Sequence, residues 1–114
     1  MMFLFVEDDE NLAAAFAELA ASLGHDADIA RTGGEALRMA AGTRYDTVFL
    51  DIGLPDMDGR KLCEYIRFAG ASNEACIVAV TGDQGFDASS SVQFDGCLRK
   101  PVTASDLTVT IRRC

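Results

Sequence analysis

Asp51 ends an apolar run, Val48, Phe49 and Leu50, and opens a turn-rich stretch, "DIGLPDMDG" (51–59). A carboxylate carried out on the end of a buried segment, with Gly and Pro holding the turn behind it, is placed to act on something outside the core. Four further polar groups stand in equivalent places. Asp8 and Asp9 follow the apolar "MFLFV" (2–6), Thr81 follows "ACIVAV" (75–80), and Lys100 follows "GCLR" (96–99). Ionised carboxylates sharing a pocket raise one another's pKa or require a cation. Oxygen ligands without a histidine or a suitable cysteine favour a hard ion, and Mg²⁺ suits them best because it completes its shell with water and phosphate oxygens. The Lys100 ammonium and the Thr81 hydroxyl suit an anion with several oxygens. A carboxylate can itself attack a phosphoryl group and form an acyl phosphate.

Each of these motifs also has a plainer meaning. An acidic pair before a helix caps it and complements its dipole, "DMDG" is a turn, and a Lys-Pro step is a loop. Those meanings leave unexplained why the groups fall at successive strand ends. In an open parallel sheet, that edge is where ligands bind.

The elements that bring the groups together are legible in the pattern. The continuous apolar runs 2–6 and 75–80 suit strands covered on both faces. "DTVFL" (46–50) is a third strand, and "HDADIA" (25–30) and "GCLR" are weaker ones. Leu12, Phe16, Leu19 and Leu23 recur at helical spacing, with Asp9 placed to cap that helix and Gly24 to end it. Thr32 with Glu35, and Thr103 with Asp106, have the spacing of capping boxes. Gly59 precedes a helix with Leu62 and Ile66 facing inward. The Ser-rich "GFDASSSVQF" (85–94) gives a short, weakly amphipathic helix. In the last segment Leu107, Val109 and Ile111 alternate like a strand, but the order of elements favours a helix. Five βα repeats imply an α/β fold, a doubly wound parallel sheet with helices on both faces.

Composition bounds the rest. A chain of 114 residues suggests one domain, residues 1–114, able to bury a core without a staple. No apolar run approaches a membrane span, and the opening "MMFLFV" is too short for a signal peptide. A cytoplasmic protein is expected. The formal net charge of −8 opposes nonspecific binding to nucleic acid. Cys63, Cys76, Cys97 and Cys114 lack metal-ligand spacing and are expected as reduced thiols.

Taken in order, "FLFVEDDE", "VFLDIGLPDMDG", "VAVTGD" and "LRKPV" resemble the receiver domains of two-component response regulators, such as the chemotaxis receiver, across essentially the whole chain. The resemblance implies a flavodoxin-like five-stranded sheet in the order 2-1-3-4-5. It implies that Asp51 receives a phosphoryl group from a histidine kinase or histidine phosphotransfer protein, and that the phosphorylated state alters binding to a downstream protein. Asp9, Asp51 and the Gly53 carbonyl would ligate Mg²⁺ directly, and Asp8 would act through water. Thr81 would bond the phosphoryl group and Lys100 would pair with it, beside the small residue Gly82. The Lys100–Pro101 peptide would be cis. Such a domain is no enzyme toward external substrates, but catalyses its own Mg²⁺-dependent aspartyl phosphorylation and dephosphorylation.

This sequence departs from the family at Cys97, where many receivers carry the Tyr or Phe that swings inward when the threonine moves. The interval from Thr81 to Lys100 is also short. Switching is therefore expected to act mainly through Thr81, Lys100 and the Ser-rich segment 85–94, with Cys97 in place of the ring. "QFDGCLRKPVTASDL" is closest in flavour to the receivers of hybrid histidine kinases. A pseudo-receiver that binds without being phosphorylated is one rival. A haloacid-dehalogenase-type phosphatase is another, but it would need its nucleophile after the first strand and a general acid two residues on, where this chain has Gly53.

Overall fold

The computed structural model describes residues 1–68, 70–82 and 94–114. Among these residues nine elements follow in order: β1 (Met2–Val6), α1 (Glu10–Ser22), β2 (Asp26–Ala30), α2 (Gly33–Gly42), β3 (Thr47–Asp51), α3 (Gly59–Phe68), β4 (Cys76–Thr81), β5 (Gly96–Arg99) and α4 (Ala104–Arg113). The strands form one sheet in the order β2-β1-β3-β4-β5, every pair parallel. The helix expected over 85–94 lies, apart from Phe94, outside the described residues.

The sheet is covered on both faces, which is why its inner strands read as unbroken apolar runs. Successive side chains of a strand point to opposite faces. Leu4, Val6, Val48, Leu50, Ile77 and Ala79 pack with α2 and α3, while Phe3, Phe5, Phe49, Val78 and Val80 pack with α1 and α4. On the second face Phe5 stacks between Phe16 and Phe49, at centroid distances of 5.3 and 4.9 Å. The two weaker sequence signals, β2 and β5, are the two edge strands, where less apolar surface is covered.

The last segment is a helix, and its alternation has a simple resolution. Leu107 is fully buried and Ile111 packs beside it, a spacing of four, while Val109 is exposed. The Thr103–Asp106 capping box closes in both directions, at 3.1 Å each way. Thr108 and Thr110, poor helix formers, each donate a hydroxyl hydrogen bond to the carbonyl four residues back.

The cysteines do not follow the expectation of four reduced thiols. Cys76 and Cys114 form a disulfide with a Cα–Cα distance of 5.8 Å, and Cys63 and Cys97 take no part in it. The reason is topological. A helix that returns antiparallel to the strands ends beside the strand starts, so the end of α4 meets the start of β4. A separation of 38 residues hides that meeting from any local pattern.

Candidate functional site

Strand register decides which acids meet. Val6 pairs with Leu50, so the next residue on each strand, Glu7 and Asp51, stand side by side. Both keep the parity of the phenylalanines before them, Phe5 and Phe49. Asp51 in turn pairs with Val80 and Thr81 with Arg99, and the Lys100 amide donates to the Thr81 carbonyl at 2.8 Å. Residues from four strand ends are thereby stitched to one edge.

The side chains converge there. Carboxylate oxygens of Glu7, Asp8 and Asp51 all lie within 4.8 Å of one another. Glu7 is 2% exposed and Asp51 5%, while Asp8 is open to solvent. The Lys100 ammonium sits between the two buried acids, 3.0 Å from Glu7 Oε1 and 3.4 Å from Asp51 Oδ2. It approaches Glu7 Oε1 off the hydrogen-bonding direction, so that buried oxygen has an ion pair without a directed hydrogen bond. The Gly53 amide donates to Asp51 Oδ1 at 2.9 Å, and the Asp9 amide to Glu7 Oε2 at 3.3 Å.

The electrostatics follow from two buried acids and one half-buried base. Burial, and then a hydrogen bond shared with Asp51, push the Glu7 carboxyl up to about 7. Burial alone would lower the Lys100 ammonium, but contacts with Glu7 and Asp51 outweigh it and hold its pKa above the ordinary lysine value. The Lys100–Pro101 peptide is cis, as the resemblance implied.

The acidic pair is shifted by one residue from the sequence expectation. Glu7 and Asp8 join Asp51, and Asp9 does not. Asp9 is the N-cap of α1: its Oδ1 accepts from the amides of Asn11 and Leu12 at 3.0 and 3.2 Å. A carboxylate committed to two helix amides is turned away from the strand edge. The sequence itself marks Asp9 as that cap, and the role competes with metal ligation. Counting parity along "MFLFVE" would have found Glu7. Replacing Asp9 by Ala is accordingly expected to destabilise the fold by about 1 kcal/mol, an ordinary N-cap loss, while leaving the acidic cluster intact. Urea denaturation checks this, and an unchanged midpoint would contradict it.

Thr81 is buried at the end of β4, next to the site. Among the described residues, nothing lies within 4 Å of a Cβ added at Gly82. Cys97 is partly buried and packs on the α2/α3 side of the sheet. Burial pushes its thiol pKa up. Of the segment 85–94 expected to take part in switching, only Phe94 is described, and it is buried in the core on that same side.

An acid pair and a lysine gathered at the carboxyl edge of a 2-1-3-4-5 parallel sheet define a class, and comparison with known proteins gives the family. The model for the response regulator receiver domain matches residues 3–112, and the chain belongs to that family. It is 30% identical over 114 residues to the sensor histidine kinase AtsR of Burkholderia thailandensis, covering 96% of this chain and 19% of that protein. It is 29% identical over 119 residues to the response regulator MprA of Mycobacterium leprae, covering 98% of this chain and 50% of that protein. The chain thus spans a fraction of the relatives it matches. Among solved structures, a CheY-like receiver domain protein from Methanospirillum hungatei superposes with a TM-score of 0.89 at 27% identity, over 97% of this chain and 90% of that one. The receiver domain of a sensor histidine kinase from Pseudomonas aeruginosa, which has a magnesium ion coordinated in its active-site cleft, gives a TM-score of 0.89 at 25% identity. It covers 98% of this chain and 94% of that one.

The expected fold, with its strand order, and membership of a two-component signalling family are therefore correct. Among the described residues no helix is long and apolar enough to cross a membrane.

Proposed function

We propose that residues 1–114 form one receiver domain whose Asp51 accepts a phosphoryl group from a phosphohistidine in a Mg²⁺-dependent reaction. The observation that carries the proposal is the cluster itself: three carboxylates within 4.8 Å, two of them buried, beside one lysine ammonium. The net negative charge and the buried Glu7 oxygen without a directed hydrogen bond fit a bound cation. Glu7, Asp8 and Asp51 would hold it, with the Gly53 carbonyl as a further oxygen in the same turn. A bound Mg²⁺ supplies positive charge that lets an anionic phosphoryl group approach anionic carboxylates.

The chain's own groups then have defined tasks. An Asp51 oxygen attacks phosphorus, the phosphorus–nitrogen bond to the donor imidazole breaks, and its electron pair stays on the imidazole. The product is an acyl phosphate. The Thr81 hydroxyl and the Lys100 ammonium donate to the phosphoryl oxygens. Removal of the phosphoryl group is the reverse charge problem, with water attacking phosphorus and the Asp51 carboxylate leaving. The donor is a histidine kinase or histidine phosphotransfer protein, as the kinship with sensor kinases supports, and the phosphorylated surface alters binding to a downstream protein. The site works in a cytoplasmic setting and needs neither nucleic acid nor membrane. A pseudo-receiver would be expected to lack one of these groups, and this chain has them all.

Incubation with acetyl phosphate and intact-mass measurement tests the proposal. Wild type is expected to gain one phosphoryl group only when Mg²⁺ is present, and Asp51→Asn to gain none. Labelling of Asp51→Asn, or labelling of wild type in excess chelator, would overturn the assignment.

A further inference from the structure

The turn that follows Asp51 is anchored at one end to β4 and at the other to the start of α3. Ile52 donates its amide to Val80 at 3.0 Å, and Asp58 accepts the Arg60 amide at 2.8 Å at the start of α3. Its middle is tied to a further element, α2. The Asp56 carboxylate accepts two amides of the first turn of α2, Gly33 to Oδ1 at 2.8 Å and Gly34 to Oδ2 at 3.0 Å. Met57 lies so close over Gly33 that a Cβ there would run into its thioether. Those two amides hold the Asp56 carboxyl below the usual carboxylate range.

A cap for α2 is already present. Thr32 is its N-cap and accepts the Glu35 amide at 3.1 Å. Asp56 comes from another part of the chain, and the tie it makes reaches back to the acidic cluster. Helix α2 leaves β2 directly, and Ala30 at the end of β2 accepts the Glu7 amide at 2.9 Å. The turn carrying Gly53, whose amide holds Asp51 Oδ1, and the strand end carrying Glu7 therefore share one frame, closed through Asp56.

We propose that Asp56 is a positioning residue: by fastening the turn after Asp51 to the N-terminus of α2, it holds Asp51 and Gly53 in place relative to Glu7 and so sets affinity for the cation. This rests on the functional reading above. Its logic is that of groups around a metal site which touch only the ligands' supports and still change affinity, by about tenfold at the lower end.

Two variants separate positioning from helix capping. Asp56→Ala and Thr32→Ala each remove side-chain acceptors from the same end of α2, but only the first unties the turn. Hydrogen exchange on the metal-free proteins is expected to show faster exchange at residues 52–57 in Asp56→Ala and not in Thr32→Ala. Calorimetric titration with Mg²⁺ is expected to show affinity about tenfold weaker in Asp56→Ala and within about twofold of wild type in Thr32→Ala. Asp56→Asn, which keeps one acceptor oxygen, should fall between. Wild-type affinity and exchange in Asp56→Ala, or equal losses in both alanine variants, would overturn the positioning role while leaving wild-type phosphorylation as observed. Absence of Mg²⁺-dependent phosphorylation in wild type would overturn the functional reading, and this proposal with it.

Discussion

Metal-free protein carrying Glu7→Gln is expected to be more stable than wild type by roughly 2–3 kcal/mol at pH 8, and to lose that advantage by about pH 4. The sign follows from the direction of the shift. The folded-state pKa of Glu7 is raised to about 7 from a reference of 4.5. Below the lower value the carboxyl is neutral in both folded and unfolded chains, and its favourable contribution to folding is fully present. As pH rises through the folded value, the folded chain must ionise a buried acid beside Asp51, and that contribution is lost. Glutamine keeps the shape and never ionises, so its curve is flat over the same window. The difference between the two urea-denaturation midpoints, followed from pH 4 to pH 8 without divalent ions, isolates this group from other titrating carboxylates. Parallel curves for wild type and variant would mean that Glu7 is ionised and satisfied in the fold. A bound cation should reverse the order, since it stabilises the ionised cluster that the variant lacks. Uptake of Mg²⁺ near pH 6 should accordingly release protons.

Gly59→Val is expected to cost about 3 kcal/mol of stability, at the upper end for overpacking, and to lower phosphorylation of the protein that does fold. Gly59 opens α3 directly beneath the acceptor turn. A Cβ there would lie 2.7 Å from Leu50 Cδ2, 2.8 Å from Ile52 Cα and 2.9 Å from the Asp51 carbonyl oxygen. Two of those three atoms are backbone and cannot rotate away. Any relief must come from moving the segment that presents Asp51. Gly59→Ala should lie between, because its helix propensity offsets part of the clash. A change under about 0.5 kcal/mol for the valine variant, measured by urea denaturation, would show that α3 and the turn slide apart freely.

What was legible in the sequence depends on range. The apolar runs of β1, β3 and β4 read directly because both faces of the sheet are covered. The capping residues Asp9, Thr32 and Thr103 read directly because a cap acts within three residues. Asp51, Thr81 and Lys100 stand out as chemistry because each closes or directly follows a strand. The acids that meet Asp51 are Glu7 and Asp8 because β1 ends at Val6 and its side-chain parity carries on to Glu7, a detail of the strand end that the apolar run alone does not mark. The tie between Asp56 and α2, and the bond between Cys76 and Cys114, leave no local trace. Both depend on where separate elements end once the sheet has formed.

The four strand ends that make the site also set when it can exist. Glu7 is supplied by β1, Asp51 by β3, Thr81 by β4, and Lys100 only when the edge strand β5 has been added. A nascent or truncated chain lacking β5 holds two buried acids with no lysine between them. That is an electrostatic fault in the scaffold as well as a missing reactive group. Competence to accept phosphate is thus tied to completion of the sheet, and a chain that carries the modification certifies that its last strand is in place.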